Sequence, residues 1–270
     1  MEDIVIYHLP ELSSPYLTAG FAGWPNAAEV STGAVGYLKD KLAVEKFAEI
    51  RPDDFYDFSS LRPLTTIDDS FVRGVKPPSN EFFYWRNEKY AHDLIIFLGI
   101  EPHLKWNRYV DSILDLAEQL GVGRIYTVGG LYDRLPHTRE PKVSGVVNEP
   151  GLREELLRYG IELANYQGPS SVHTLLLVAS ARRNIKAFTL WGHAPHYIPV
   201  HNSKVSYHVL RKLTQMLQIE IDLEDLRVAS EYLDEQLERA IERNPELGEY
   251  VRKLEEGYQV VGGDLRAIES

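Results

Sequence analysis

Residues 93–128 read DLIIFLGIEPHLKWNRYVDSILDLAEQLGVGRIYTV, and the fold is decided there. Asp93–Leu98 is a continuous apolar run, as a strand buried on both faces requires. Leu104–Leu120 follows with Val110, Ile113, Leu114, Ala117 and Leu120 at helical spacing, so one stripe faces a core. Gly121 stops that helix. Arg124–Val128 is a second buried strand, followed by Gly129-Gly130. Strand, amphipathic helix and strand in succession imply an α/β domain.

Outward from this unit the alternation continues. Ile4–His8 is a short β-branched run. Tyr16–Ala22 is an apolar strand ending at Gly23-Trp24-Pro25-Asn26, where Asn26 can cap a helix to about Leu42. Phe71–Lys76 and Glu81–Arg86 read as strands separated by the turn Pro77-Pro78-Ser79-Asn80. Val143–Val147 is a further strand. Pro150–Tyr159 is a short helix stopped by Gly160. Gly168-Pro169-Ser170-Ser171 opens an apolar helix, Ser170–Arg183. Lys186–Trp191 is the last core strand, and Lys204–Leu217 is an amphipathic helix. Residues 45–90 hold strands without helices between them. The expected core, residues 1–218, is therefore a three-layer α/β/α domain with a mixed, largely parallel sheet. Two more helices follow, Asp222–Arg243 and, beyond Asn244-Pro245, a second to about Glu256. They form an expected C-terminal helical arm over 219–258, with a flexible tail over 259–270.

The chain has 270 residues, enough to bury a sizeable core. It holds 40 acids against 29 Lys and Arg, a net charge of −11, which argues against a general nucleic-acid or anionic-membrane binder. Residues 220–256 carry 13 acids and 5 bases, so the arm is either a solvated helix face or a surface for a basic partner. With no cysteine there is no disulfide, no thiolate nucleophile and no cysteine-ligated metal. Met1-Glu2-Asp3-Ile4 places acids where a signal peptide carries bases. The runs Leu94–Leu98 and Leu175–Ala179 are too short to span a bilayer. A cytoplasmic location is expected.

Nucleotide and nucleophile motifs are weak. Gly121-Val122-Gly123 has Tyr126 where a dinucleotide loop needs its third glycine, and no P-loop occurs. Gly168-Pro169-Ser170-Ser171-Val172 has Val172 where a nucleophile elbow needs glycine, so Ser170 and Ser171 read as helix-start residues. His193, His196 and His201 lie in a loop with no nearby acid before Asp222, and neither a metal nor another cofactor is expected. That loop follows the last core strand, where open α/β sheets hold ligands. A small-molecule cleft near Trp24, Asn148, His193 and His196 is one reading, and loop histidines bonded at the sheet end are the other. Glu101 either suits a helix dipole or belongs to the same cleft. Arg139 either holds an anion or bridges to Glu101 or Asp133.

The ordered blocks Gly20-Phe21-Ala22-Gly23-Trp24, Asp57-Phe58 with Arg62-Pro63, Glu101-Pro102 with Lys105-Trp106, Pro136-His137-Thr138-Arg139, Val143-Ser144-Gly145, Tyr166-Gln167-Gly168-Pro169, Leu190-Trp191 with Pro195-His196-Tyr197, and Tyr250–Glu255 resemble the proteasome assembly chaperone 2 family, in its longer actinobacterial-type branch. The resemblance implies a core similar to nucleoside-phosphorylase or hydrolase folds and self-assembly into trimers or other small rings. It also implies contacts with proteasome subunits. Some members carry a ligase label, for which this sequence has no nucleotide cradle. Archaeal relatives that activate the proteasome end in a hydrophobic-tyrosine-any tail. Here Ile268-Glu269-Ser270 puts Glu269 at the tyrosine position, and docking through the tail is not expected. Asn26 stands where relatives often have aspartate, so no catalytic acid is expected there. The expected function is a non-enzymatic, oligomeric protein-interaction scaffold. The alternative is a binder or enzyme for a nucleoside-like or anionic molecule, with Trp24 stacking on a ring and Arg139 holding the anion. A third reading takes the blocks as structural corners.

Overall fold

The computed structural model describes residues 2–261, and the side chains from 258 onward lie outside that description. Eleven strands and seven helices occur among the described residues, in the order β1 (Ile4–Ile6), β2 (Tyr16–Ala22), α1 (Val30–Lys41), β3 (Glu45–Ile50), β4 (Leu64–Asp68), β5 (Phe71–Lys76), β6 (Glu81–Trp85), β7 (Leu94–Ile100), α2 (Trp106–Gln119), β8 (Arg124–Asp133), β9 (Val143–Val147), α3 (Arg153–Arg158), β10 (Glu162–Leu163), α4 (Val172–Arg182), β11 (Lys186–Pro195), α5 (Ser203–Leu217), α6 (Glu224–Arg243) and α7 (Pro245–Val261). Nine strands form one sheet in the order β1-β3-β6-β7-β2-β8-β11-β9-β10. Its centre, β7-β2-β8-β11, is parallel. The flank β1-β3-β6 and strand β9 run antiparallel. The three-layer mixed sheet expected from the sequence is the architecture found.

Each face of the sheet has its own core. On one, Leu17, Ala19, Phe21, Ile125 and Ala187 meet α2 and α4. On the other, Tyr126, Val128, Phe188 and Leu190 meet α1 and α5. The second pair of helices lies close because of two glycines. A Cβ on Gly20 would stand 2.9 Å from Ser31 O and from Val35, and one on Gly192 would stand 2.6 Å from Val205.

Several boundaries move for identifiable reasons. Asn26 is not the N-cap of α1, a place taken by Glu29; a 3-10 turn with Ala28 and Glu29 at φ 49° and 56° intervenes, and Asn26 accepts from Thr32 N in the first turn at 3.1 Å. Strands β8 and β11 run on to Asp133 and Pro195, because they pair residue by residue over ten positions. Phe71–Lys76 and Glu81–Trp85 are strands, yet they do not pair with each other. The first folds back on Leu64–Asp68 as a separate hairpin, and the second joins the main sheet. Pro77 and Pro78, lacking N–H groups, suit neither ladder. Helix α7 runs to Val261, and residues 262–270, where the expected tail and its Ile268-Glu269-Ser270 end fall, lie outside the described residues. No helix among the described residues is long and apolar enough to cross a membrane.

At the β6–β7 flank, one buried amide organises two phenols. Asn80 Oδ1 accepts from Tyr56 OH at 2.7 Å, Tyr109 OH at 2.8 Å and Ile100 N at 3.0 Å. Burial pushes the Tyr56 hydroxyl up to about 12 and that of Tyr109 well above its ordinary value. An unfolded tyrosine ionises near 10, so from pH 10 to 12 the unfolded state releases a proton that folded Tyr56 keeps. Stability therefore falls with rising pH by about 1.4 kcal/mol per unit for this group. We predict that Tyr56→Phe costs about 1 kcal/mol in urea unfolding at pH 8. The gap to the parent chain closes at pH 11, and a gap constant from pH 8 to 11 contradicts the assignment.

Candidate functional site

The ten-residue register of β8 against β11 carries the site. Asp133, Trp191 and His193 stand on the sheet face that α4 covers, near the carboxyl ends of their strands. Trp191 lies on Gly129, where a Cβ would fall 2.4 Å from the indole. Ser144 on β9 sits opposite Trp191. His193 Nδ1 is 2.7 Å from Asp133 Oδ2, and His193 Nε2 is 2.8 Å from Ser144 Oγ. The carboxylate only accepts, so Nδ1 carries the proton and the Ser144 hydroxyl donates to Nε2. The hydrogen bond from His193 holds the Asp133 carboxyl below its ordinary value, assisted by the Arg134 N–H.

This is a serine–histidine–aspartate relay by connectivity, and its surroundings define what it does. Ser144 lies within a strand rather than on a sharp turn and is 4% exposed. A nucleophile needs a reacting carbon within reach of Oγ, and here β10 and β11 flank the residue. The relay ties the antiparallel β9 to the ends of β8 and β11.

Beneath it lies a buried histidine. His173, in the first turn of α4, has both ring nitrogens without a partner and packs edge-on against Phe21 and Trp191, each 5.1 Å away between centroids. Burial drives its pKa down to about 3, so the ring is neutral. The start of α4 is occupied by Glu101, whose Oε1 accepts from Val172 N at 2.9 Å. Burial pushes the Glu101 carboxyl up, against the bonds from Val172 and from the Trp24 backbone.

The expected site residues separate into three groups. Trp24 and Glu101 are neighbours at the carboxyl end of β2 and β7, with the Trp24 indole exposed. His193, His196 and Arg139 gather where residues 134–142 cross the end of β11. There a cavity of about 10 Å³, room for about one water, is lined by His137, Arg139, His193, Asn202, Lys204 and Asp234 among others. His196 donates from Nδ1 to Asp133 O at 3.2 Å and accepts from Tyr250 OH at 2.7 Å. Lys204 Nζ bonds Asp234 at 2.8 Å and His137 O at 2.7 Å, and Thr138 donates to Glu255 at 2.6 Å. So His196 and the Arg139 loop form the joint between core and C-terminal helices. Arg139 is exposed and makes no bridge to Glu101 or Asp133 among the described residues. Asn148 lies at the opposite end of the sheet, donating to Ile185 O at 2.8 Å and accepting from Ala187 N at 2.9 Å. His201 turns away to Glu29 at 3.7 Å, so the three loop histidines face different partners.

Reasoning on sequence passed over Asp133, Ser144 and His173 as site residues. Ser144 belongs to the Val143-Ser144-Gly145 block, and in the sequence Asp133 is a candidate partner for Arg139 and no more. Their relation to His193 needs the register of three strands.

Large apolar side chains border this end of the sheet. Trp24, Leu104, Tyr132, Tyr166 and Val200 are 47% to 71% exposed. Leu104 follows Glu101 by three residues, and Tyr166 lies in the loop into α4. Tyr132 OH accepts from Ala28 N at 3.3 Å, and Val200 adjoins the His201–Glu29 pair.

A mixed, largely parallel nine-strand sheet covered on both faces, with its polar groups paired inward and aromatic groups left at the rim, defines a three-layer α/β protein followed by two further helices. The family model of the PAC2 family matches residues 20–241, and the chain belongs to that family. A crystal structure of a PAC2 family protein from Streptomyces avermitilis MA is 28% identical, covers 88% of this chain and 99% of its own, and superposes with a TM-score of 0.80. A Mycobacterium tuberculosis proteasome-assembly chaperone homologue is 27% identical over 87% of this chain and 99% of its own, also at 0.80. Pyrococcus furiosus PbaB, described as an archaeal proteasome activator, is 24% identical over 88% and 97% at 0.70, a likeness of fold. No functionally curated protein matches the chain in sequence.

His173 yields a signed pH dependence. An unfolded histidine takes up a proton below about 6.5, whereas the folded ring resists until about pH 3. Stability is full above 6.5 and falls through that window by about 1.4 kcal/mol per pH unit. We predict that His173→Phe keeps the ring contacts and is at least as stable at pH 7. Its urea midpoints decline less between pH 6 and 4, and a decline equal to that of the parent chain contradicts the assignment.

Proposed function

We propose that the protein is an oligomeric, non-enzymatic interaction scaffold of the proteasome-assembly-chaperone kind, acting in the cytoplasm and contacting proteasome subunits. The observation that carries this reading is the distribution of side chains. The groups fit for chemistry, Asp133, His193, Ser144 and His173, are paired or packed inward, while large apolar groups stand outward at one end of the sheet. Large apolar groups gathered at one end of a domain are a mark of contact with other polypeptides. The PAC2 membership and the proteasome-assembly chaperone homologue among similar structures support the same class of partner. Residues 219–258 serve in this reading as an acidic arm on a core of residues 1–218.

The test is direct association. The purified chain, mixed with proteasome α subunits of its own host, co-elutes in size exclusion and survives 0.3 M salt, because apolar contact is not screened. Absence of co-elution at tens of micromolar removes the proteasome part of this reading.

A second reading keeps a small-molecule site, because the exposed indole of Trp24 adjoins half-buried Glu101 at the strand ends. Nucleosides, inorganic phosphate and nucleotides at 1 mM raise the melting temperature if that crevice binds them. No shift with any of the three leaves the scaffold alone.

A further inference from the structure

We infer that the hairpin β4–β5 is an arm received by a second copy of this chain, on the apolar rim formed by Trp24, Leu104, Tyr132 and Val200. The inference rests on the preceding reading only in taking that rim as a protein-contact face.

Every residue of β4 and β5 is exposed. A two-stranded hairpin in water is marginal at best without a covered face. This one is built to hold its shape. Asp69 and Ser70, at φ 48° and 61°, are the two central residues of a tight turn whose positive φ values match strand twist. A bulge at Arg73 lets Val72 and Val75 share one face with Thr65 and Ile67. Leu64, Thr66 and Phe71 share the other. Leu64, Ile67, Phe71, Val72 and Val75 are 53% to 73% exposed, so both faces are apolar and neither is covered.

Area and charge select the occupant. At roughly 100 Å² for each half-exposed large side chain, the five on the arm and the four of the rim contribute about 900 Å² of side-chain surface alone, near the roughly 1,000 Å² where specific interfaces begin. The chain carries −11 overall, but residues 62–76 hold three bases and two acids, so the arm is a segment that an acidic copy does not repel. The hairpin also leaves from the rim's end of the sheet. Its approach segment bonds to the residues after β7, with Leu104 N donating to Phe55 O at 3.1 Å and Lys105 Nζ reaching Asp54 at 2.8 Å. Arm and rim are different surfaces, so the contact is head-to-tail and repeats until it closes into a ring.

The full chain is examined by sedimentation velocity at 5 to 50 µM. A discrete oligomer is expected for the parent chain. Ile67→Asp with Val75→Asp, at exposed sites, gives a folded monomer whose melting temperature no longer depends on protein concentration, and so does Trp24→Asp with Leu104→Asp. Mixed one to one, these two monomers retain one intact arm and one intact rim between them, and they form a dimer that grows no further. A hairpin-to-hairpin contact predicts no dimer in that mixture. Should either double variant fail to fold, the absence of native cysteine supplies another readout. Oxidised mixtures of Val75→Cys and Trp24→Cys then cross-link to a dimer that either variant alone does not give. A monomeric parent chain, an oligomeric arm variant, or a mixture without dimer or cross-link overturns the inference. A ring that ignores proteasome α subunits retains the arm and discards the partner. A monomer that binds them does the reverse.

Discussion

Ten consecutive backbone positions of β8 and β11 lie side by side in parallel, and most of the molecule's organisation follows from that ladder. It is longer than any other pairing in the sheet, and it holds only because Gly129 leaves space for the Trp191 ring. A side chain at 129 would push the indole off the strand and shorten the ladder from its carboxyl end. The residues lost first would be Asp133, His193 and the carbonyl that holds His196. The ladder also sets the path of residues 134–142. That segment must pass over the end of β11 to reach β9, and in doing so it meets α6 and α7.

The joint between that segment and the C-terminal helices is polar. Lys204 bonds Asp234, Thr138 bonds Glu255, and His196 accepts from Tyr250. The Lys204–Asp234 pair is partly buried and the other two are exposed, where such ties contribute about 0–1 kcal/mol each, so the joint is held by several ties rather than one. Two of its members are better protected. His137, buried and pushed down in pKa chiefly by that burial, accepts from Tyr197, whose own hydroxyl is pushed up by burial to about 12. Both shifts favour the uncharged forms of the two groups.

The sheet was legible from the sequence wherever strands are apolar on both faces. Tyr16–Ala22 and Val143–Val147 match to the residue, and the stripe of Val110, Ile113, Leu114 and Ala117 marks a helix that does bury it. Strand β3, Glu45–Ile50, carried too little apolar pattern to stand out, because it is half-exposed near the sheet edge. Strand β4 was hidden for the opposite reason, since nothing in its own chain covers it and it shows no inward face. The site was less legible than the fold. His193 is 60 residues from Asp133 and 49 from Ser144, and the register that joins them is a property of three strands together. Asn148 read as a site residue because it follows a strand. But β9 runs against β11, so the end of β9 is the wrong end of the sheet.

Two kinds of misfit remain after folding, and they point to different consequences. His173 leaves two polar nitrogens without partners in the core, a cost of about 1–3 kcal/mol that the ring contacts with Phe21 and Trp191 offset in part. That cost is internal and is met by the fold itself. The hairpin and the rim leave apolar groups in water, and no rearrangement within β4 and β5 can hide both of their faces. In the proposed assembly, a cost that one chain cannot remove by folding is removed by association. Burying a fully exposed large side chain contributes about 1.5–3 kcal/mol, and the arm's five, 53% to 73% exposed, would each contribute only part of that against the entropy lost on assembly. The same sheet end that closes its polar groups inward thus leaves its large apolar groups outward, and the proposed contact is the one that would cover them.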